Sequence, residues 1–248
     1  MTWGAIDINV NAPGLIEYRI DPAIFRLCPG YRRGLLLARE LRNGASPPAL
    51  VAALRTQEAA LRDEFKGNPA EHPRIAAWRE AYRRFGARPS DFRASVEALA
   101  RRVLRGDALP GINALVDIGN VVSLRHLLPV GAHPIPAGGE PLCLRLAAPT
   151  DRFAPPDGGK EETPESGEVV FAQGMTVLTR RWTWRQSAGT LTRPETQAVF
   201  FNLDALEVVP DAALAAAARD LQQLVHEYCG GRSEGAVLSE QTPAQDFG

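Results

Sequence analysis

Residues 112–128 (INALVDIGNVVSLRHLL) are apolar on nearly every side, and this pattern predicts a helix that other parts of the chain must cover. Three polar residues interrupt the segment: Asn113, Asp117 and Asn120 stand at i, i+4 and i+7, which aligns them on one helical face. A buried polar group without a partner costs about 1–3 kcal/mol. We therefore expect this polar stripe to face either other polar groups of the chain or a ligand.

The order of the other predicted elements favours an α+β fold. Before the apolar helix, three helices are predicted to begin at Ser46, at His72-Pro73 and at Ser90. Strands are predicted over residues 15–20 (before a turn at Asp21-Pro22), 142–147, 167–172 and 175–179 as a hairpin, 181–187 and 197–203. Residues 34–41 fit either a strand or a short helix. A helix over 211–228 and a flexible tail from Gly230 complete the chain. Helices first and strands later indicate layers of each kind, not alternating βαβ units.

Composition limits the classes of partner. The 248 residues include 28 Lys and Arg against 29 Asp and Glu, so the net charge is -1. A balance so near neutrality argues against a positive coat for long nucleic acids, and no DNA partner is expected. Residues 1–10 lack a signal-peptide pattern, and no apolar stretch approaches the ~20 residues that span a bilayer. The three cysteines are far apart and fit buried thiols in a reducing compartment. We expect a cytoplasmic protein without a membrane partner.

Familiar catalytic motifs are missing from the sequence. It has no HExxH, HxH or CxxC arrangement, which argues against a metal site, and no P-loop or GxGxxG, so no cofactor is expected. Without a GxSxG elbow or a Cys/His pair, a covalent hydrolase is not supported. His133 lies in a Gly/Pro segment, VGAHPIP, directly after the polar-striped helix. Such loops commonly carry ligand contacts, but a structural role for His133 fits equally well.

Arginine is concentrated in residues 74–105, where nine arginines stand against three acidic residues. One interpretation is a face that contacts phosphates, with Arg79, Arg83, Arg101 and Arg105 as candidates. The other is an ordinary solvated surface of an arginine-rich protein. A similar choice concerns Arg185, which follows two tryptophans. Its planar guanidinium suits a carboxylate or phosphate, but it can also pair with Glu168 and pin the sheet.

Four segments in order resemble the freestanding B3/B4-domain proteins, which are similar to the editing domain of the bacterial phenylalanyl-tRNA synthetase beta subunit. They are HPRIAAWREAYRRFGARPSDFRASVEALARRVLRG, LPGINALVDIGNVVSLRHLLPVGAH, SGEVVFA and LTRRWTWRQSAGT. The resemblance covers about residues 65–201 and implies a three-layer α+β fold. It implies one B3/B4-like domain over 1–229, with an N-terminal extension at 1–64, a C-terminal helix at 211–229 and a flexible tail at 230–248.

The resemblance also implies an activity. In the synthetase this domain hydrolyses tyrosine wrongly attached to the phenylalanine tRNA, and the freestanding relatives are candidates for such proofreading in trans. The implied function is an aminoacyl-tRNA deacylase that uses water as the nucleophile. Its partners would be the aminoacylated acceptor end of a tRNA and the attached amino acid. No ATP-binding motif set is present, so aminoacylation is not expected. The alternative is a non-catalytic module that binds a tRNA end or a free amino acid.

Most expected site residues follow by matching positions to the synthetase motif, while Asp117 comes from the polar stripe and Glu168 from the SGEVVFA segment. Asn120, which would orient substrate or water, and His133 are the expected catalytic residues. The expected substrate-binding residues are Asp117, Gly131, Glu168, Thr183, Arg185, Gln186, Thr196 and Asn202. Two positions depart from the synthetase pattern: Gly131 stands where its loop has a histidine, and Asn202 where a glutamate reads the tyrosine hydroxyl. A different amino acid from tyrosine is therefore expected.

Overall fold

The computed structural model describes residues 15–65, 67–136 and 139–248. Residues 1–10, for which no signal peptide is predicted, lie outside these ranges. The helices of the described part are α1 (Pro22–Leu27), α2 (Pro48–Glu64), α3 (Pro73–Arg84), α4 (Ser95–Leu104), α5 (Ala114–His126) and α6 (Asp211–Cys229). The strands are β1 (Ile16–Ile20), β2 (Arg32–Arg39), β3 (Val130–Pro134), β4 (Leu142–Leu146), β5 (Val169–Gln173), β6 (Thr176–Arg180), β7 (Arg185–Gln186), β8 (Val199–Ala205), β9 (Arg232–Leu238) and β10 (Ala244–Phe247).

The strands form two sheets that pack face to face. One sheet has the order β10-β1-β4-β5-β6-β7, and the other has the order β3-β8-β2-β9. Side chains of β2 alternate between two cores. Leu36 and Ala38 pack with helices α2, α5 and α6, whereas Leu35 and Leu37 pack with the six-stranded sheet. The four-stranded sheet is thus the middle of three layers, and the predicted three-layer α+β fold is confirmed.

Most of the predicted elements are present at the expected places. Six of the eight residues 34–41, which fit either a strand or a helix, belong to β2. The hairpin is formed by β5 and β6, with Gln173 opposite Thr176. Strands β4 and β8 and helix α6 lie where the pattern predicted them. These elements were predictable because their apolar spacing matches the layer that each one covers.

Helix α5 is buried around most of its circumference, as predicted, between the four-stranded sheet and helices α2, α4 and α6. Its N-cap is Asn113, whose Oδ1 accepts a hydrogen bond from the backbone N–H of Val116 at 3.1 Å. The helix is followed by Leu127 in the left-handed region, with φ 46°. This sharp end directs the chain straight into β3.

The predicted helix starts at Ser46 and Ser90 are wrong. Neither serine caps a helix: α2 begins after Pro47, and α4 begins only at Ser95. Ser46 Oγ instead donates to Asp117 Oδ2 at 2.6 Å, a tertiary contact that sequence spacing does not reveal. The turn predicted at Asp21-Pro22 is the start of α1, because Asp21 Oδ1 accepts from the N–H of Ala23.

The flexible tail predicted from Gly230 is also wrong. Strand β9 pairs with β2 over seven residue pairs, and β10 pairs with β1 over four. Glycines and a run of polar residues conceal the strand pattern in sequence, because only alternate positions such as Leu238 and Phe247 face a core. The last residues of the chain therefore supply an edge strand to each sheet.

Cys28, Cys143 and Cys229 are free thiols, and all three are buried. Burial raises the pKa of Cys28 and of Cys229 to about 11, so both stay protonated and unreactive at neutral pH. Across the described ranges, no helix combines the length and the apolar character needed to cross a membrane.

Candidate functional site

A cavity of about 170 Å³ opens where β2, β3 and β8 meet the turn between β6 and β7. An apolar cavity of about 150 Å³ holds benzene, so this one has room for the side chain of one amino acid. Its lining combines polar and aromatic groups and comprises Arg33, Ser95, Pro129, Val130, Gly131, His133, Phe171, Thr179, Trp182, Thr183, Trp184, Arg185, Gln186, Asn202 and Asp204.

The floor of the cavity is built around Arg33, which is 1% exposed. Its Nε donates to Asp204 Oδ1 at 2.7 Å and to the Tyr31 hydroxyl at 2.9 Å, and its Nη1 donates to the Tyr18 hydroxyl at 2.7 Å. The Tyr31 hydroxyl also donates to Asp204. Burial alone lowers the pKa of Arg33, but Asp204 and the two tyrosines raise it well above its usual value. Arg33 is therefore a fixed positive charge.

Asn202 extends this network into the cavity wall. Its Oδ1 accepts a hydrogen bond from the Tyr18 hydroxyl at 3.0 Å, which fixes the orientation of the amide. Within the described part of the chain, Asn202 Nδ2 and Arg33 Nη2 make no hydrogen bond, although both residues line the cavity. The floor thus presents two oriented donors to any group that enters.

His133 is held in its neutral form on the cavity wall. Gln186 Nε2 lies 3.2 Å from its Nδ1, and Thr179 Oγ1 lies 3.5 Å from its Nε2. The ring also packs edge-on against Phe171, with centroids 5.2 Å apart. Burial and the nearby charge of Arg33 lower the pKa of His133 from 6.5 to about 3. Gln186 Nε2 also donates to the carbonyl oxygens of Ala132, at 2.9 Å, and of Thr190, which are closer to it than His133 Nδ1.

The segment that carries His133 differs from the loop expected in the sequence analysis. Residues 130–134 form strand β3, which pairs with β8 and places Gly131 opposite Asn202 and His133 opposite Phe200. Pro134 made the segment resemble a loop, but an edge strand tolerates proline, and β3 is the edge of its sheet.

The turn between β6 and β7 is strained. Arg181 and Trp182 adopt positive φ values of 44° and 65° in succession, which is uncommon for residues other than glycine. Of the strand predicted over 181–187, only Arg185 and Gln186 are in a strand, which is β7. Trp182 points inward, where its Nε1 lies 3.4 Å from the Tyr31 hydroxyl, while Trp184 stays half-buried at the rim. Strain of this kind clusters at functional sites.

The rim is aromatic and cationic. Trp184 packs edge-on against Phe92, with ring centroids 4.9 Å apart, and the Arg185 guanidinium lies 5.6 Å from the Trp184 ring. The pairing of Arg185 with Glu168 that the sequence left open does not occur. Arg185 Nη2 instead contacts the exposed Asp157 at 2.7 Å.

The structure brings together at the cavity six of the residues that the sequence selected, namely Gly131, His133, Thr183, Arg185, Gln186 and Asn202. Asp117, Asn120, Glu168 and Thr196 do not line it. The sequence missed Arg33, Asp204, Tyr18 and Tyr31, which lie outside the matched motifs or next to them. The available signal was a charged residue beside an apolar run in each of two strands, since Arg33 of β2 and Asp204 of β8 lie opposite each other.

The four predicted residues outside the lining have other surroundings. Asp117 accepts from Ser46 Oγ and, at 3.3 Å, from the backbone N–H of Ile112. Glu168 binds Arg180 through both carboxylate oxygens, at 2.9 and 2.7 Å. Thr196 and Asn120 are half-buried, and Thr196 Oγ1 accepts from the N–H of Arg193.

The arginine face is mostly paired with acids. Glu97 is fully buried and accepts from both Arg79 and Arg101, each at 2.8 Å. Arg83 pairs with Glu80 at 3.1 Å, and Arg105 lies 3.6 Å from Asp107. Arg79 therefore ties α3 to α4, and Arg101 pairs with Glu97 within α4, whereas Arg83 and Arg105 keep exposed side chains.

Comparisons with known proteins give one family and one structural neighbour. A family model described as the B3/4 domain matches residues 77–230, which contain every residue of the cavity lining except Arg33. The structure is similar to an N-terminal fragment of the phenylalanyl-tRNA synthetase beta subunit from Pyrococcus horikoshii, with a TM-score of 0.46 and 12% identity. That alignment covers 94% of this chain and 54% of the fragment, so the chain spans about half the length of the fragment. No curated protein matches this chain.

Proposed function

Because this chain belongs to the B3/4 domain family, we propose that its cavity binds the aminoacylated 3′ end of a tRNA and hydrolyses the ester bond of a mischarged one. The observation that carries the proposal is the cavity floor, where Arg33 Nη2 and Asn202 Nδ2 are oriented donors without a protein acceptor in the described ranges. Such donors suit a substrate that carries oxygen atoms. No aminoacylation is proposed.

The reaction needs little acid–base chemistry from the protein. Water attacks the ester carbonyl carbon, the bond to the ribose oxygen breaks, and the free amino acid and the tRNA 3′ hydroxyl are released. Positioning of the ester and donors aimed at the developing oxyanion supply the main stabilisation in such a site. A base with a pKa near 3 is poorly matched to neutral pH. We therefore assign His133 to holding the wall in place through Gln186 and Thr179.

The floor of the cavity is the part that selects the substrate. Asn202 occupies the position where the synthetase pattern has a glutamate, and an amide with a free N–H favours an acceptor on the amino acid side chain. Arg33 adds a fixed positive charge beside it. The proposed substrate thus carries a side chain with an oxygen acceptor, in preference to a purely apolar one. Asn120 is not in the lining, so the proposal gives it no contact with the substrate.

The rim is proposed to receive the terminal nucleotide. Unstacked bases are commonly held on aromatic side chains and beside guanidinium groups. Trp184 and Arg185 offer both at the mouth of the cavity. Thr183 and Gly131 complete the wall between this rim and the floor.

A deacylation assay tests the proposal. Purified protein is incubated with a panel of correctly and wrongly charged tRNAs, and release of the labelled amino acid is followed. We expect selective hydrolysis of one mischarged pair. Asn202→Ala should lower kcat/KM at least tenfold, while the matched substitution Asn120→Ala should leave it within about twofold. Absence of release from every charged tRNA by folded protein would overturn the hydrolase proposal.

The second candidate is a non-catalytic module that binds an amino acid or a tRNA end. The state of His133 favours it, because the only imidazole in the lining has both nitrogens near partners and a pKa far below neutrality. A binding module would raise its Tm in the presence of ligand and yet release no product. The same panel, read by thermal unfolding and by product release, separates the two functions.

A further inference from the structure

Two arginines face each other at the end of β2 that is remote from the cavity. Arg39 lies directly opposite Arg232 in the antiparallel pairing of β2 with β9. Both belong to the alternate positions that include Arg33, Leu35 and Leu37, about 20 Å along the strand from the cavity floor at 3.3 Å per residue. Like charges directly opposite each other destabilise a sheet. This pair therefore needs a compensating group.

Among the residues that the structure describes, the protein supplies an acid to Arg232 but not to Arg39. Arg39 is 8% exposed, and its Nη2 is buried without a hydrogen-bond partner. Within the ranges that the structure describes, Arg39 forms no ion pair. Arg232 Nε is likewise buried and unpartnered, although its Nη2 reaches the exposed Glu40 at 3.2 Å. A buried cation without a partner is among the most destabilising features that a fold can contain.

The two unpartnered nitrogens belong to residues that line one small cavity of about 20 Å³, together with Leu37, Ser233 and Glu234. This space holds about one water-sized atom. Glu234 is the acid in the lining, but it makes no ion pair in the described part of the chain. Burial raises the pKa of Glu234 despite the opposing effect of Arg39 and Arg232. Glu234 accepts no hydrogen bond from Arg39 Nη2 or Arg232 Nε.

The backbone is shaped to bring the two arginines together. Gly231 has φ +73°, and a Cβ there would lie 2.2 Å from the carbonyl oxygen of Arg39. Only glycine permits this approach. The turn from α6 into β9 is thus specialised for placing Arg232 beside Arg39.

We propose that Arg39 and Arg232 together bind a phosphate group, one oxygen of which enters the cavity between the two guanidinium groups. Guanidinium groups match phosphate oxygens in geometry and charge, and two of them with unused N–H donors would share the inserted oxygen. The phosphate belongs either to free inorganic phosphate or to an RNA backbone. The site does not depend on the function of the main cavity.

The test measures thermal unfolding and calorimetric binding with inorganic phosphate, at constant ionic strength balanced with chloride. Wild-type protein should show a saturable rise in Tm with one phosphate bound per chain. Arg39→Met and Arg232→Met should each weaken phosphate binding at least tenfold. Arg88→Met, at a side chain that is 83% exposed, is the matched control and should change nothing.

Unfolding temperatures measured without phosphate distinguish a loss of phosphate binding from a general loss of stability. Methionine replaces an unpaired buried cation with an apolar group, so Arg39→Met should unfold at an equal or higher temperature than wild type in phosphate-free buffer. At saturating phosphate, wild type should unfold at a higher temperature than Arg39→Met. If Arg39→Met fails to fold, Arg232→Met, at a less buried side chain, carries the comparison.

Competition identifies the source of the phosphate. A loss of tRNA affinity of at least fivefold in Arg232→Met assigns the site to an RNA backbone. Unchanged tRNA affinity with lost phosphate binding assigns it to the free ion. The proposal is overturned if phosphate has no saturable effect on wild type, if chloride stabilises equally well, or if both variants bind phosphate as wild type does.

Discussion

At the scale of single residues, the cavity is organised by one buried ion pair. Arg33 and Asp204 are nearly inaccessible to solvent, and each satisfies the other within a network that includes two tyrosine hydroxyls. Removal of one member of such a pair leaves an uncompensated charge in the interior. The floor donors and the stability of the protein thus depend on the same contact.

Asp204→Asn should therefore lower the free energy of unfolding by about 3–5 kcal/mol. Asp211→Asn is the matched control, because Asp211 also pairs with an arginine of β2 but is 82% exposed, and its loss should cost no more than about 1 kcal/mol. Urea unfolding of both variants gives the comparison. Equal effects at the two sites would contradict the assignment of a buried, coupled pair.

His133 should make stability depend on pH. Its folded pKa of about 3 lies below the ordinary 6.5, so the unfolded chain takes up a proton at higher pH than the folded chain. Stabilisation from the neutral ring is complete above about pH 6.5 and is lost as pH falls towards 3, at up to about 1.4 kcal/mol per pH unit.

His133→Phe lacks this proton uptake. Its deficit in unfolding free energy relative to wild type should shrink when the pH is lowered from about 7 to about 4. Chemical unfolding across that range measures the deficit. His226→Phe, at an exposed ring on α6, should leave the profile of wild type unchanged. A deficit in His133→Phe that is independent of pH would speak against a buried neutral imidazole.

The sequence identified part of the site for a physical reason. Gly131, His133, Gln186 and Asn202 lie in segments whose order and residue types match a known motif, so they were found together. Arg33 was not found, because its role depends on pairing with Asp204 across 171 residues of chain. Asn120 lies outside the cavity lining, and its partners in the polar stripe, Asn113 and Asp117, bond within the chain.

At the scale of elements, the helices and central strands were predictable and the edges were not. A central strand or packed helix buries a continuous apolar pattern, as β2 and α5 do. An edge strand is held largely by backbone hydrogen bonds, which any residue type provides. The residue pattern of β3 therefore predicts a loop, and that of β9 predicts a flexible tail.

Leu238→Ala tests the structural importance of β9. Leu238 is fully buried in the core between the sheets, so truncation should cost about 2–5 kcal/mol of unfolding free energy. Leu15→Ala is the control, since Leu15 is 74% exposed. Denaturant unfolding compares the two. A Leu238→Ala protein as stable as the control would restore the flexible-tail interpretation.

At the scale of the whole molecule, a net charge of -1 conceals an uneven use of arginine. Arg79 and Arg101 hold the buried Glu97, whereas Arg105 is exposed beside Asp107. Arg79 links α3 to α4, and Arg101 pairs with Glu97 within α4. Among the four candidate arginines, Arg83 and Arg105 have more than half of the side chain exposed.

Exposed and acid-paired arginines should affect the salt dependence of tRNA binding differently. Arg105→Ala should reduce the slope of log K against log salt by about 0.7–0.9, the value for one lost phosphate contact. Arg101→Ala should chiefly lower the Tm, because it uncovers Glu97. If Arg105→Ala leaves the slope unchanged, this face is ordinary surface.

The position of β2 between β8 and β9 also has a consequence for synthesis. About 160 residues separate the end of β2 from the start of β8, and β9 comes later still. At ~5–20 residues per second, a ribosome needs roughly 8–32 s to make the first partner. Throughout that interval a strand whose residues 34–38 are all apolar has both edges unpaired, which is the condition that promotes aggregation. Arg33 therefore reaches its buried ion pair late in synthesis. Until then, the nascent chain needs protection from aggregation through the edges of β2.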